Sequence, residues 1–283
     1  SALEDMCTPA LVIDLDAFER NIAQMGQFVE KAGVRHRAHA KTHKSADIAL
    51  YQIEHGKACG ICCQKVSEAE ALVDGGVTDV MVSNQVVDPR KIDRLAQLAN
   101  RARVIVCVDD AYNIEALSQA ATRHNATLEV VVEIDVGAGR CGVSSSSEAL
   151  VMAQQIASVD GLLFAGLQAY QGTAQHVRDY AERKARIDTA IDKVRDIVAL
   201  LASEGLDCDI VGGAGTGTYY FEGESGVYNE VQSGSYVFMD ADYQQVKDAD
   251  GSPIHEFENS LFIYTSIMST AKANQAVCDA GLK

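Results

Sequence analysis

The stretch RAHAKTHKS (residues 37–45) concentrates basic side chains in a chain whose formal net charge is −16. If the stretch is a strand, its side chains alternate between two faces, with small residues opposite the bases. The residues that would share the basic face are Arg37, His39, Lys41 and His43. A lysine withdrawn from water among other cations has a lowered pKa, and its neutral amine can bond to a carbonyl carbon. We therefore predict that Lys41 is a Schiff-base lysine.

Two other lysines compete for this role. Lys44 falls where the next helix is predicted to begin and is expected in solvent, and Lys65 follows the next predicted strand in CCQKVSEAE. A surface position is the usual one for a lysine. The alanines and polar side chains that flank Lys41 argue against a surface position for this lysine, because a surface strand buries apolar residues opposite its charges.

A second informative stretch, VGGAGTGTYYFE (residues 211–222), follows a predicted strand. Its closely spaced glycines let backbone N–H groups converge on an anion, and Thr216 can donate a hydroxyl. The stretch matches neither the GxGxxG fingerprint nor a Walker loop. In the next predicted strand, QSGSY (residues 232–236) offers Gly234 as a further close approach of the backbone.

Two more strand ends carry candidate ligand-binding side chains. GAGRCGV (residues 137–143) places Arg140 between glycines, and in LQAYQG (residues 167–172) a predicted strand ends with Tyr170. The alternatives are that Arg140 is a solvated residue of a tight turn and that Tyr170 only packs at the rim of the barrel.

The cysteines lie mostly in apolar runs, which indicates buried reduced thiols, and the one CxxC pair has no second pair at zinc spacing.

The composition limits the class of protein. The chain has 283 residues, of which 47% are hydrophobic, so it can bury a full core. Its acidity argues against nucleic acid and anionic membranes as partners. No apolar run reaches the ~20 residues of a membrane helix, and the N-terminus SALEDMCTPALVIDL lacks the basic region of a signal peptide. We expect a cytoplasmic protein.

The elements that position these residues alternate regularly. After an isolated strand at residues 8–15, eight strand-like runs are separated in most cases by amphipathic helix patterns. This count predicts an α/β fold, a (β/α)8 TIM-like barrel, with a doubly wound sheet as the alternative. From residue 239 onward, turn-rich sequence and alternating strands predict the start of a β domain that is incomplete at Lys283.

In such a barrel, Lys41 would lie at the C-terminal mouth and the glycine-rich loop would follow one of the last strands, where phosphate sites form. A buried lysine and a phosphate cradle in one barrel suggest pyridoxal 5′-phosphate as the cofactor.

Many motifs together resemble one known family. TPALVIDLDAFERNI, RAHAKTHKS, GICCQKVSEAEAL, VEIDVGAGRCGV, GLQAYQG, GGAGTGTYYFE and VQSGSYVFMDADY occur in the order found in the D-threonine aldolase and 3-hydroxy-D-aspartate aldolase group. These enzymes use pyridoxal phosphate, have the alanine-racemase-like fold (PLP fold type III) and are related to D-serine dehydratases. The resemblance implies a homodimer and three segments: residues 1–15 as a strand joining the β domain, 16–238 as the cofactor-binding barrel, and 239–283 as the start of the β domain.

The resemblance also assigns residues. Lys41 occupies the Schiff-base position, and Arg140 corresponds to an arginine near the cofactor ring. The other residues expected to bind the cofactor are His39, Gln64, Tyr170, Gly215, Thr216, Gly217, Gln232, Gly234 and Ser235. Where alanine racemases read RPG, this chain reads QSG, so the neutral Gln232 would face the pyridine nitrogen. Racemisation is therefore the weaker reading.

Three functions remain open from the sequence. The first is retro-aldol cleavage of a β-hydroxy-D-amino acid, D-threonine or 3-hydroxy-D-aspartate, to glycine and an aldehyde. The second is dehydration of D-serine or 3-hydroxy-D-aspartate, and the third is a non-catalytic pyridoxal-phosphate-binding protein. In the aldolase group a divalent cation, Mg²⁺ or Mn²⁺, serves the β-hydroxyl. We expect no metal ligands within residues 1–283, and place them beyond Lys283.

Overall fold

The alternating pattern produces a closed barrel in the computed structural model of the chain, which describes residues 3–281. Eight parallel strands pair in chain order, and the last pairs with the first, so the predicted barrel is confirmed and the doubly wound alternative is wrong. The barrel strands are β2 (Arg35–His39), β3 (Ala58–Cys63), β4 (Asp79–Gln85), β5 (Arg103–Val108), β6 (Leu128–Glu133), β7 (Leu162–Gln168), β8 (Ile210–Gly213) and β9 (Glu230–Val231).

Helices surround the barrel and follow most of its strands. Most of their starts are capped by side chains: Asp14 accepts a hydrogen bond from the N–H of Ala17, and Ser145 and Glu148 form a capping box. The helices are α1 (Leu15–Ala32), α2 (Ala46–Gly56), α3 (Val66–Asp74), α4 (Pro89–Leu98), α5 (Ala111–Arg123), α6 (Ser146–Ser158), α7 (Tyr180–Ser203) and the short α8 (Tyr219–Gly223).

Two layers of the core border the strands, and a third cluster packs α1 against residues that follow β9. Strands such as RVIVCV in β5 are buried almost throughout because a parallel barrel covers both faces of each strand. One layer lies between strands and helices. The other is a small cluster of Cys62, Met81, Ile105, Cys107, Val131, Ala165 and Ile210. This packed core fixes the strand ends that carry the candidate site.

The strand that contains RAHAKTHKS is shorter than the alternation predicts. β2 ends at His39, and a 3₁₀ helix (Ala40–Thr42) carries Lys41. Arg37 is 1% exposed and forms ion pairs with Glu230, at 2.9 Å, and with Asp79. The prediction of one continuous basic face is therefore wrong. The guanidinium of Arg37 is neutralised inside the protein, and the chain turns before it reaches Lys41.

The last predicted barrel strand also differs. VQSGSYVF (residues 231–238) contributes only its first residue to β9, and a 3₁₀ helix (Ser235–Val237) follows the glycine. The pairing with β8 covers only two residues, Gly212 with Glu230 and Gly213 with Val231. A short β9 leaves the backbone after it free to curve into the barrel mouth.

Short antiparallel strands lie outside the barrel. β1 (Ala10–Ile13) pairs with β10 (Leu261–Tyr264), and β11 (Ile267–Ser269) pairs with β12 (Val277–Cys278). The isolated first strand thus joins a segment of the predicted β domain, although residues 1, 2, 282 and 283 of the predicted segments lie outside the described part. None of the helices in residues 3–281 has both the length and the apolarity to cross a membrane.

Candidate active site

A pocket opens among the loops that follow the carboxyl ends of the barrel strands, the face where barrel enzymes carry their catalytic groups. Ten of the eleven predicted site residues line it. The full set of lining residues is His39, Lys41, Gln64, Ser83, Arg140, Gln168, Tyr170, Ala214, Gly215, Thr216, Gln232, Gly234, Ser235 and Tyr243.

Lys41 extends from the 3₁₀ helix after β2 into this pocket. Its Nζ atom lies 5.5 Å from the centre of the Tyr170 ring. Burial lowers the pKa of the Lys41 ammonium, and the positive charge of Arg140 lowers it further. A larger fraction of Lys41 is therefore neutral near pH 7 than for an exposed lysine, which favours its action as a nucleophile.

The competing lysines lie outside the pocket. Lys44 and Lys65 are both exposed, and Lys44 donates through Nζ to the backbone oxygen of Lys41 at 3.2 Å. The geometry thus agrees with the choice of Lys41 over both.

His39 fixes the turn that carries Lys41. Its Nδ1 atom accepts a hydrogen bond from the N–H of Lys41 at 3.2 Å, so its Nε2–H donates to Ser83 Oγ at 3.0 Å. Ser83 in turn donates to the backbone oxygen of Cys63 at 3.1 Å. Burial, with a smaller contribution from nearby cations including Lys41, lowers the pKa of His39 to about 3. His39 is therefore a neutral positioning group and adds no positive charge beside the amine.

The other side of the pocket consists of backbone. Within residues 3–281, the N–H groups of Gly215, Thr216, Gly234 and Ser235 have no hydrogen-bond acceptor. The Thr216 hydroxyl accepts from the N–H of Tyr236 at 3.0 Å, which leaves its own proton free to donate. Buried amides without partners are costly, and an anion held among them would remove that cost.

Glycine is required in this cradle by close packing. A Cβ atom on Gly234 would lie 2.6 Å from the backbone oxygen of His39, and one on Gly215 would collide with the side chain of Gln175. The cradle and the strand that leads to Lys41 are therefore in direct contact.

Gly217 is the one predicted site residue that lies outside the pocket; the sequence predicted that it binds the cofactor phosphate. It does not line the pocket, and its N–H donates to Gln175 Oε1 at 3.1 Å. That donor is already used within the protein, so the assignment of Gly217 as a phosphate ligand stays a prediction that the geometry does not favour. Glycine is required at position 217 for a steric reason, because a Cβ atom there would collide with the backbone oxygen of Gln175.

Arg140 lies at the pocket mouth and is more exposed than the other predicted ligands, with 54% of its side chain accessible. Its Nη2 atom is 3.5 Å from Glu133 Oε1, and Gln85 donates to the other oxygen of Glu133 at 2.5 Å. Burial raises the pKa of Glu133, and hydrogen bonding to Gln85 partly opposes the shift. Arg140 therefore places a positive charge at the pocket mouth, beside the buried carboxyl of Glu133.

Gln232 is held by a partner that the sequence did not reveal. Gln168 donates to Gln232 Oε1 at 2.7 Å, and Gln232 donates to Gln168 Oε1 at 2.9 Å. The Gln232 amide nitrogen also lies 3.5 Å from the sulfur of Met81. The pair presents a neutral surface to the pocket, as the sequence predicted for Gln232.

Two tyrosines close the remaining side. Burial raises the pKa of Tyr170 to about 12, and burial likewise raises the pKa of Tyr243, so both phenols are neutral near pH 7. The ring of Tyr243 lies 4.5 Å from the ring of His176, whose Nδ1 is 2.5 Å from an oxygen of Asp242. His176 therefore lies beside the pocket but does not line it.

Sequence reasoning missed four lining residues. Ser83 lies near the carboxyl end of β4 and Gln168 is the last residue of β7, and polar residues at such positions are a signal that could have identified them. Ala214 adopts φ 67° between the glycines, and Tyr243 lies beyond the barrel series. No local pattern in the sequence distinguishes these last two.

The described residues contain no evident metal site. No group of three or more His, Cys, Asp or Glu side chains in residues 3–281 is arranged to hold a metal ion. The prediction that metal ligands lie after Lys283 is not tested by this observation. Cys59 and Cys62 of the CxxC pair are both free thiols, the first exposed and the second buried.

These features fit the cofactor predicted from the sequence. Pyridoxal phosphate needs a neutral amine, a set of phosphate donors and a surface for its ring. Lys41 supplies the amine, the unpaired amides of the glycine loops supply donors, and Tyr170 and the Gln168–Gln232 pair border the space between them. The residues present are therefore able to hold the group.

The barrel and its pocket define an alanine-racemase-like protein. The family model described as "Alanine racemase, N-terminal domain" matches residues 13–242. The chain belongs to this family and, within it, to the group of 3-hydroxy-D-aspartate and D-threonine aldolases. This confirms the family resemblance seen in the sequence.

Individual relatives support this grouping. The chain is 53% identical over 279 residues to the 3-hydroxy-D-aspartate aldolase of Paracoccus denitrificans (strain Pd 1222), which covers 98% of this chain and 72% of the relative. The crystal structure of D-threonine aldolase from Filomicrobium marinum superposes with a TM-score of 0.95 at 51% identity, covering 99% of this chain and 75% of that one. The D-threo-3-hydroxyaspartate dehydratase of Delftia sp. (strain HT23) is more distant, at 30% identity over 82% of this chain and 61% of the relative.

Proposed function

We propose that this protein is a pyridoxal-phosphate-dependent lyase that cleaves β-hydroxy-D-amino acids, D-threonine or 3-hydroxy-D-aspartate, to glycine and an aldehyde. The observation that carries the proposal is the placement of Lys41, whose amine has a lowered pKa, across a pocket from unpaired backbone N–H groups. The close aldolase relatives support the reaction class.

Different residues of the pocket would bind different parts of the cofactor. When bound, pyridoxal phosphate supplies an aldehyde for attachment and a conjugated ring that takes up the electron pair released at Cα. Gly215, Thr216, Gly234 and Ser235 would hold the phosphate through backbone N–H groups and hydroxyls. Lys41 would hold the aldehyde carbon, and His39 keeps the turn of Lys41 in place without adding charge.

The neutral amide pair bears on the choice among reactions. Gln168 and Gln232 bond to each other and carry no charge, so neither adds the positive charge that an arginine would bring to this wall of the pocket. The site thus departs from the arginine of the racemase pattern, which makes racemisation, the breaking and re-forming of the Cα–H bond, a weaker candidate than cleavage of the Cα–Cβ bond. Dehydration remains the second candidate, because a dehydratase relative shares the fold, but that relative is less similar than the aldolases.

The environment of the enzyme belongs to the same proposal. We infer a cytoplasmic homodimer, consistent with the eight free cysteines and with the family resemblance. A divalent cation, Mg²⁺ or Mn²⁺, would bind the β-oxygen of the substrate and lower the pKa of its hydroxyl, so that the proton leaves as the Cα–Cβ bond breaks.

The lysine assignment can be tested by chemical trapping. Reduction of the protein loaded with pyridoxal phosphate by borohydride should fix the cofactor on the peptide that contains Lys41. The Lys41→Ala variant should lose trapping and lose at least ~10³-fold in glycine release, because the nucleophile is absent. Lys65→Ala is the matched control and should keep both. Trapping on Lys44 or Lys65 would contradict the assignment.

Product analysis tests the reaction class. Incubation with a panel of D-amino acids should yield glycine and an aldehyde from the β-hydroxy substrates. Release of a 2-oxo acid and ammonia instead would identify a dehydratase.

A further inference from the structure

A fully buried carboxyl group lies directly behind the glycine loop. Glu222 is 1% exposed and sits in α8, the short helix that the loop enters. One of its oxygens, Oε1, accepts a hydrogen bond from the Thr218 hydroxyl at 3.0 Å. The other, Oε2, is buried and has no hydrogen-bond partner within the described part of the chain. A carboxyl in this position has no role in the binding scheme given above.

Hydrogen bonds connect this carboxyl to the loop. Thr218 Oγ accepts from Gln175 Nε2 at 2.9 Å, and Gln175 Oε1 accepts from the N–H of Gly217 at 3.1 Å. Gln175 is also the side chain that packs against Gly215. Glu222 is thus the end of a chain of bonds that determines where the loop lies.

The surroundings of Glu222 contain no compensating positive charge. No Lys, Arg or His among residues 3–281 forms an ion pair with it, and the titratable groups whose pKa its charge raises are the phenols of Tyr170 and Tyr228. The adjacent Gly223 packs against the ring of Phe28 from α1. An ionised carboxylate in such a place is expensive, since neither water nor a cation stabilises it.

We propose that Glu222 is protonated in the working protein and is a positioning residue for the phosphate-binding loop, and that its ionisation weakens phosphate binding. This inference rests on the proposed cofactor site. The Oε1 atom of the Glu222 carboxyl accepts from Thr218 and so keeps Thr218 and Gln175 bonded, which holds Gly217 in place and leaves the amides of Gly215 and Thr216 free for the anion. Once ionised, the same group places a negative charge behind the phosphate.

The electrostatic environment supports this state. Burial raises the pKa of Glu222 to about 8, and the hydrogen bond from Thr218 only partly opposes the shift. The carboxyl is therefore mostly neutral at pH 7 and mostly ionised at pH 9. A phosphate monoester is already mostly a dianion at pH 7, because its second pKa is about 6. The repulsion between the phosphate and Glu222 therefore grows between pH 7 and pH 9 because Glu222 ionises.

The test uses pyridoxine 5′-phosphate, which carries the phosphate and ring of the cofactor but has no aldehyde to react with Lys41. Its dissociation constant is measured at pH 7 and pH 9 for the wild type and for Glu222→Gln, which is neutral at both values. The wild type should lose roughly tenfold more affinity over this interval than the variant. Glu224→Gln removes an exposed carboxylate two residues away and should behave as the wild type.

Stability supplies an independent readout without any ligand. A raised pKa in the folded state means that the folded protein binds more protons than the unfolded one between about pH 4.5 and pH 8. The wild type should therefore lose thermal stability relative to Glu222→Gln as the pH rises through this range. A constant difference in melting temperature would show that Glu222 does not titrate there.

The outcomes separate the two proposals. If the wild type fails to bind pyridoxine 5′-phosphate at pH 7, the cofactor site itself is refuted. If it binds, but the wild type and Glu222→Gln respond equally to pH, the proposed effect of Glu222 ionisation is refuted while the proposed function stands. Thr218→Val gives a second check on the positioning role, because it breaks the bond chain and should weaken binding at both pH values.

Discussion

At the scale of single residues, the surroundings of a basic side chain decide what it can do. Arg37 and Lys41 come from the same stretch of nine residues. Arg37 is buried between Glu230 and Asp79 and is fully charged and fully paired. Lys41 is half-buried near an aromatic ring and a guanidinium, and burial lowers its pKa. The first arrangement stabilises structure, whereas the second prepares an amine for covalent bonding.

Gln232 gives a prediction at this scale. Gln232→Arg would break both hydrogen bonds of the amide pair and would place a guanidinium against Gln168 and Met81. Gln232 is only 5% exposed, so the guanidinium would be buried without an acidic partner. We expect the free energy of unfolding of the cofactor-free protein to fall by about 3–5 kcal/mol, the cost typical of an uncompensated buried charge. Denaturant titration measures it.

A neutral control separates charge from packing. Gln232→Met keeps the length of the side chain and removes only the hydrogen bonds, so its loss should be nearer 1–3 kcal/mol. Equal losses in the two variants would show that the charge is accommodated and that Gln232 is replaceable by the arginine of the racemase pattern.

At the scale of elements, the site depends on how two loops meet. The loop after β9 lies against the end of β2 at Gly234, where a Cβ atom would lie 2.6 Å from the backbone oxygen of His39. Gly234 has φ −121°, a conformation open to other residues, so the requirement for glycine is purely steric. The phosphate loop and the lysine turn thus have a fixed separation, set by backbone contact.

Gly234→Ala tests this contact. The new methyl group should push the end of β2 away from the loop, destabilise the protein by about 1–3 kcal/mol and weaken the binding of pyridoxine 5′-phosphate. Gly281→Ala, at a position with no atom within 4 Å of the added Cβ, is the matched control and should change neither. Unchanged affinity in Gly234→Ala would show that the loop can move independently of Lys41.

The same elements show what the sequence could and could not reveal. Period-two alternation correctly placed Arg37 and His39 on one face, and strand counting led to the eight-stranded barrel. Alternation failed at Lys41, because the bond from the Lys41 N–H to His39 turns the chain into a 3₁₀ helix. The sequence also could not show that the N–H of Gly217 donates to Gln175, a residue 42 positions away whose approach no local pattern predicts.

At the scale of the whole molecule, the barrel supplies binding groups for a cofactor but no evident group for a hard cation. Among the described residues, the pocket is lined by amides, hydroxyls, phenols, one histidine, one lysine and one arginine, and by no carboxylate. Glu133 lies behind Arg140, and Glu222 lies behind the glycine loop. Mg²⁺ and Mn²⁺ prefer several oxygen or imidazole ligands together. Acidic residues such as Asp240 and Asp242 instead make hydrogen bonds or ion pairs within their own loop or to neighbouring side chains.

This division leads to a prediction about metal removal. If a divalent cation acts on the β-oxygen of the substrate through ligands outside the barrel, chelation of the active enzyme should abolish glycine release. Such a cation would contribute several kcal/mol to the transition state, so the expected loss is at least ~10²-fold. The cofactor should stay attached to Lys41, because its binding groups lie within the described barrel. Glycine release at the original rate after chelation, or tight binding of Mn²⁺ by residues 1–283 alone, would contradict this division between barrel and cation site.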